Sequence, residues 1–242
     1  MVPTLSKKRK PSRSSSIFYI QKVFPPSDAL AIDLLRLMAA SNDIRHIDEW
    51  MNAHLQTPKE KLAHLVAAGR WYMQLRLAAA VIHEALNVLI QMHEKGHLTA
   101  LSEGLDARGK KALATLRRIM DGTDRDMKQL LEQVRHKGTF HYDHGQFRKS
   151  LTRIVTKHGP QEQSRIIWEP EGLFGTGAYF HNAEALRTEG TIGLVGDNPS
   201  EGLDRTRKIL SVMETFQVFL GAAFYAYVRV RNLQGEFQDI DG

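Results

Sequence analysis

Arg135 and His141 are the residues whose types and spacing most readily suggest chemistry. They bracket the run Arg135-His136-Lys137-Gly138-Thr139-Phe140-His141. Cutting RNA by attack of its own 2′-OH needs a proton to move at the 2′ or 5′ oxygen, and it needs charge on the phosphorane-like transition state to be stabilised. A histidine, with an unperturbed pKa of about 6.5, can donate or accept that proton near neutrality. An arginine stays charged and offers a planar fork that matches phosphate oxygens. One such pair is sparse for catalysis, and two copies facing each other across a twofold axis would supply a fuller set. No metal is required by this chemistry.

The pair is positioned by the elements around it. Asp121-Gly122-Thr123-Asp124 reads as a turn and cap. Met127, Leu130, Leu131 and Val134 then fall at i, i+3, i+4 and i+7, which makes one buried helical stripe with Arg135 on its flank. Gly138 suits a helix end, Phe140 can return to the core, and His141 and Tyr142 emerge at the start of the next helix. The spacing therefore predicts a helix-to-helix corner carrying both residues.

The remaining chain predicts an all-α fold. Ser27 is a candidate cap for a helix over 28–40, on which Leu30, Ile32, Leu34, Leu35 and Met38 approximate one face; Ser41-Asn42-Asp43 reads as a break before a second helix carrying Ile44, Ile47, Trp50, Met51 and Leu55. Thr57-Pro58-Lys59-Glu60 is a capping box with proline at the first helical position, and it starts a long apolar helix over 58–95 that stops at Gly96. Further helices are expected over 106–120, after Asp143 up to Gly159, and over 201–233. Residues 161–200 differ, with six glycines and two prolines; they predict an irregular or hairpin insertion, with Ile166-Ile167-Trp168 and 191–195 as its candidate strands. The last residues, 235–242, read as frayed.

Composition narrows the function classes. The chain of 242 residues has no cysteine, which excludes disulfides, thiolate catalysis and sulfur-ligated zinc. Its net charge of +6 is concentrated in residues 1–16, which hold five bases and no acid; the rest carries 28 bases and 27 acids. Residues 1–16 therefore predict a disordered basic tail, with 17–242 as a single helical domain, and global basicity is no argument that the body binds nucleic acid. The tail lacks the apolar run of a secretory signal. The apolar stretch 212–230 contains Glu214, Gln217 and Arg229 and reads as a core helix, so a cytoplasmic protein without membrane contact is expected.

Other residues leave alternatives open. Glu84, inside the apolar part of the long helix, either reaches the motif and orients Arg135 or faces solvent. His136 and Tyr142 either line the same pocket or are ordinary polar turn residues. Arg135 itself has a plain reading as a cation favoured near a helix C-terminus, and His141 one as a turn histidine. His136, His141 and His144 match no carboxylate-supported metal site, so no metal or other cofactor is expected. Gly172 to Gly177 resembles a phosphate loop but lacks the following Lys-Ser/Thr.

The spacing Arg135-x5-His141, within 134–143, resembles the R-x(4–6)-H signature of the HEPN superfamily (higher eukaryotes and prokaryotes nucleotide-binding). The resemblance extends over about 28–160 and 201–233 and leaves 161–200 unmatched. It implies an up-and-down helical bundle that dimerises through the motif region. It also implies a metal-independent endoribonuclease with Arg135 and His141 as catalytic residues, beside which His136, Tyr142 and Glu84 are the candidates for supporting them or contacting RNA. Many members of that family are toxins or phage-defence effectors, so a cognate antitoxin or regulatory protein is a further implied partner. Others only bind RNA or proteins, which leaves a non-catalytic helical module as the alternative.

Overall fold

The computed structural model describes residues 15–54, 61–135, 152, 156, 166–172, 175–180 and 199–240. In chain order these form β1 (Ser15–Ile17), α1 (Ile20–Val23), α2 (Ala29–His54), α3 (Lys61–Glu94), α4 (His97–Gly104), α5 (Ala107–Met120), α6 (Arg125–Gln133), β2 (Ile166–Gly172), β3 (Gly175–Phe180), α7 (Pro199–Val230) and β4 (Gln238–Ile240). The fold is all-α; among the described residues, strands occur near the chain ends and in one hairpin. Helix α7 touches α2, α3, α4, α5 and α6, so the core gathers around it.

Helix α2 is one continuous helix of 26 residues, not two helices broken at Ser41. Ser41 does not cap a new helix. Its hydroxyl donates to Gln217 Oε1 at 2.7 Å, and Gln217 Nε2 donates to the Ser41 carbonyl at 2.8 Å. Ser41 thus serves a tertiary contact with α7, while Leu34, Leu37, Ile44, Ile47 and Met51 continue a single buried stripe across 41–43. Asp28, not Ser27, holds the helix start: its Oδ1 accepts from the Leu30 amide at 3.0 Å and the Ala31 amide at 3.4 Å. Ile32 and Trp50 point outward, at 41% and 56% exposure.

Helix α3 buries Leu75, Ile82 and Leu89 completely. They lie at seven-residue intervals along the face turned to the core, and each buried side chain of this size stabilises the fold by about 1.5–3 kcal/mol. The helix ends at Gly96, whose φ of +76° is the left-handed region a glycine enters without a Cβ penalty. Helix α4 follows at once; it has no separate cap in the sequence, and it forms by burying Leu98 and Leu101. Gly109 on α5 permits a close helix crossing, because a Cβ there would lie 2.5 Å from the Ala222 Cβ on α7.

Near the chain ends two short strands pair, where fraying is expected over 235–242. Ser15–Ile17 runs antiparallel to Gln238–Ile240. Beneath this pair Phe24 stacks on Tyr227, whose hydroxyl donates to the Val23 carbonyl at 2.6 Å, and Arg231 pairs with Asp28 at 2.6 Å. The hairpin in the Gly-rich region joins Ile166–Gly172 to Gly175–Phe180, so the second strand comes sooner than 191–195, which lies outside the described residues. By length and composition alone Gly69–Glu94 and Ser200–Val230 could each cross a membrane; here 56% and 44% of their most apolar windows are buried inside the fold.

Candidate active site

Arg135 is set by the helix that precedes it. Asp124 caps α6, accepting from the Met127 amide at 3.2 Å. Met127, Leu130, Leu131 and Val134 are then buried at 2%, 6%, 0% and 0% exposure, which fixes the rotation of the helix. The Val134 amide donates to the Leu130 and Leu131 carbonyls at the end of this helix. Arg135 leaves the flank of the buried stripe there and turns toward α3. Its Nε donates to Glu84 Oε1 at 2.5 Å.

Both members of this pair are partly in water, with the side chains 39% and 54% exposed. An ion pair that open contributes about 0–1 kcal/mol to stability, so its effect is to orient rather than to hold the fold. Partial burial pushes the Glu84 carboxyl up, but the hydrogen bond and charge of Arg135, with help from Asn87 and His83, outweigh it and leave the group below the usual carboxylate range. Glu84 is therefore an anion at neutral pH. It fits the role of a fixed acceptor for Arg135 better than that of a proton carrier.

Arg135 and Glu84 line an open groove of about 920 Å³ between α2 and α3. Ala39, Ala40, Leu77, Val81, Val88 and Ile90 give it an apolar floor, and Arg36, Asp43, Gln91 and Glu94 add polar walls. The two helices run antiparallel, since Arg36 reaches Gln91 while Asp33 reaches Lys95 and His97. By that register Asp43 lies level with Glu84 and Arg135, and Arg36 lies toward the other end.

At that other end sits a feature the sequence did not single out. Asp33 is 2% exposed. Its Oδ1 accepts from Arg36 Nη1 at 3.1 Å, and its Oδ2 lies 3.0 Å from both Lys95 Nζ and His97 Nδ1. Burial pushes this carboxyl up, yet the hydrogen bonds from Lys95, His97 and Arg36 prevail and hold it below its ordinary value. Arg36 Nη1 also donates to Gln91 Oε1 at 3.0 Å. Asp33 and Arg36 are an i, i+3 pair that the sequence does show, but their link to Gln91, Lys95 and His97 depends on how α2 and α3 register.

Of the residues expected at the site, Arg135 and Glu84 are brought together; His136, His141 and Tyr142 lie outside the described residues. Among the described residues no group of three or more His, Asp or Glu side chains is placed to hold a metal ion. Set against family models, curated proteins and solved structures, the chain matches none.

Proposed function

We propose that the chain is a metal-independent endoribonuclease of the HEPN type that acts on RNA as a homodimer in the cytoplasm. The observation that carries this reading is Arg135, aimed by Glu84 at the wall of an open groove directly before the segment that bears His141. In the reaction the 2′-oxygen attacks the adjacent phosphorus, the bond to the 5′-oxygen breaks, and Arg135 neutralises charge on the non-bridging oxygens. His141 serves as the general acid or base, moving the proton released at the 2′-oxygen or required at the 5′-oxygen. The products are a 2′,3′-cyclic phosphate and a 5′-hydroxyl. His136 and Tyr142 contact RNA beside the pair. The dimer supplies the second Arg–His set, and a toxin or phage-defence role with an antitoxin-like protein partner follows from the same family resemblance.

One observation favours a second reading. The groove walls carry two arginines, Arg36 and Arg135, against three carboxylates, Asp43, Glu84 and Glu94. That balance also suits a non-catalytic module whose groove takes a basic peptide or protein surface. Incubating the purified protein with RNA, with and without EDTA, separates the two. The ribonuclease gives 2′,3′-cyclic ends in both samples; a binding module leaves RNA intact, and loss of cutting in EDTA contradicts the metal-free chemistry.

A further inference from the structure

The groove holds a second arginine anchored quite differently from the first. Among the described residues Arg36 is fixed through one nitrogen: Nη1 donates both to Asp33 and to Gln91. A guanidinium has five donors, so Nε and Nη2 remain available on a side chain that is 44% exposed and lines the groove. The carboxylate behind it is fully buried and shared with a second fixed cation, Lys95. Asp33 thus stands against two cations, Arg36 and Lys95, with the exposed carboxylate Glu94 beside them. The groove carboxylates Asp43 and Glu94 are exposed, as are the Arg36 and Lys95 side chains, so water and salt screen all of them, whereas Asp33 is compensated locally.

Arg36 rests on Gln91 and Arg135 on Glu84. These two acceptors are seven residues apart on α3, two turns, or about 10 Å along the helix. Between the arginines, by the same register, lie the apolar side chains of Val88 on α3 and of Ala39 and Ala40 on α2. A charged fork at each end and an aliphatic surface between them suit a strand whose phosphates touch the ends and whose unstacked bases lie on the middle. Double-stranded RNA, read by shape along the outside of a helix, does not present its bases that way. At a stacked rise of about 3.4 Å per nucleotide, 10 Å spans about three nucleotide steps, and fewer if the strand is extended.

We infer that Arg36 is a second phosphate-binding residue, and that the groove takes a segment of single-stranded RNA with phosphates at Arg36 and Arg135. This rests on the ribonuclease reading for the identity of the ligand, but it is tested without cleavage. The probe is a fluorescently labelled oligothymidylate; it lacks the 2′-OH that the proposed reaction needs, so it binds without being cut. Anisotropy titrations over a salt series compare wild type with Arg36→Gln and with Gln91→Glu, an exposed position where the new carboxylate neutralises Arg36 without disturbing the core. Losing one charge-assisted phosphate contact should weaken binding about tenfold and lower the salt slope by about one, and both variants should show it. Wild type that fails to bind the probe, or variants that bind it with unchanged affinity and slope, overturn the inference. Arg36-dependent binding by a protein that cuts no RNA upholds the inference and removes the ribonuclease reading. RNA cutting that needs Arg135 while binding ignores Arg36 does the reverse.

Discussion

The two ends of the α2–α3 groove hold an arginine in opposite ways. Arg135, just past the end of α6, is held by Glu84 on α3, a carboxylate 54% exposed. Arg36 is held by Asp33, a carboxylate 3% exposed, which also ties down Lys95 and His97 and so joins α2 to the corner between α3 and α4. A buried carboxylate with several partners is a structural joint, because removing it strands cations that were positioned around it. An exposed ion pair adds little to stability and is free to serve orientation. Stability and function are thus expected to separate along the groove.

The largest effect should come from breaking the buried joint. Asp33→Ala is expected to cost about 2–3 kcal/mol in denaturant unfolding, below the ~3–5 kcal/mol of a fully buried pair because Arg36 and Lys95 still reach water. A change under about 0.5 kcal/mol would show that the cluster is not a joint at all.

Acid sharpens the same contrast. The folded-state pKa of Asp33 is depressed, so its contribution is present above the unfolded value of about 3.9 and is lost as pH falls through the lower, folded value. Wild-type stability should therefore fall on acidification below about pH 4, and Asp33→Asn should fall less steeply in that window. Parallel curves for the two proteins would contradict the assignment.

The smallest stability effect belongs to the exposed end. Glu84→Gln should shift unfolding by less than about 1 kcal/mol, yet slow RNA cutting by about tenfold or more, since a small misplacement of a catalytic group can cost up to ~10²-fold. Loss of stability in proportion to loss of cutting would mean that Glu84 supports the fold and does not aim Arg135.

What the sequence made legible follows from how local each signal is. The stripe on α6, its cap at Asp124 and the stop at Gly96 are set by residues within a few positions of each other, and they appear in the structure as the pattern predicts. Ser41-Asn42-Asp43 looked like a break because its tertiary partner, Gln217, is 176 residues away. The pairing of Ser15–Ile17 with Gln238–Ile240 was hidden for the same reason. At the site, Arg135 could be named from its spacing, and Glu84 could be considered because an acid in an apolar stretch calls for a partner. Arg36 and Asp33 are legible as an i, i+3 pair, but their link to Gln91, Lys95 and His97 depends on the antiparallel register of α2 against α3.

The central claim is that Arg135, together with His141, cuts RNA. Its most direct test is the cutting rate of purified wild type against Arg135→Ala and His141→Ala, in the presence of EDTA and with folding checked by circular dichroism. The account predicts that wild type cuts and that either substitution lowers the rate by about 10²-fold or more, in the range expected for losing a general acid–base or charge-stabilising group. Cutting that persists at the wild-type rate in both variants would contradict it.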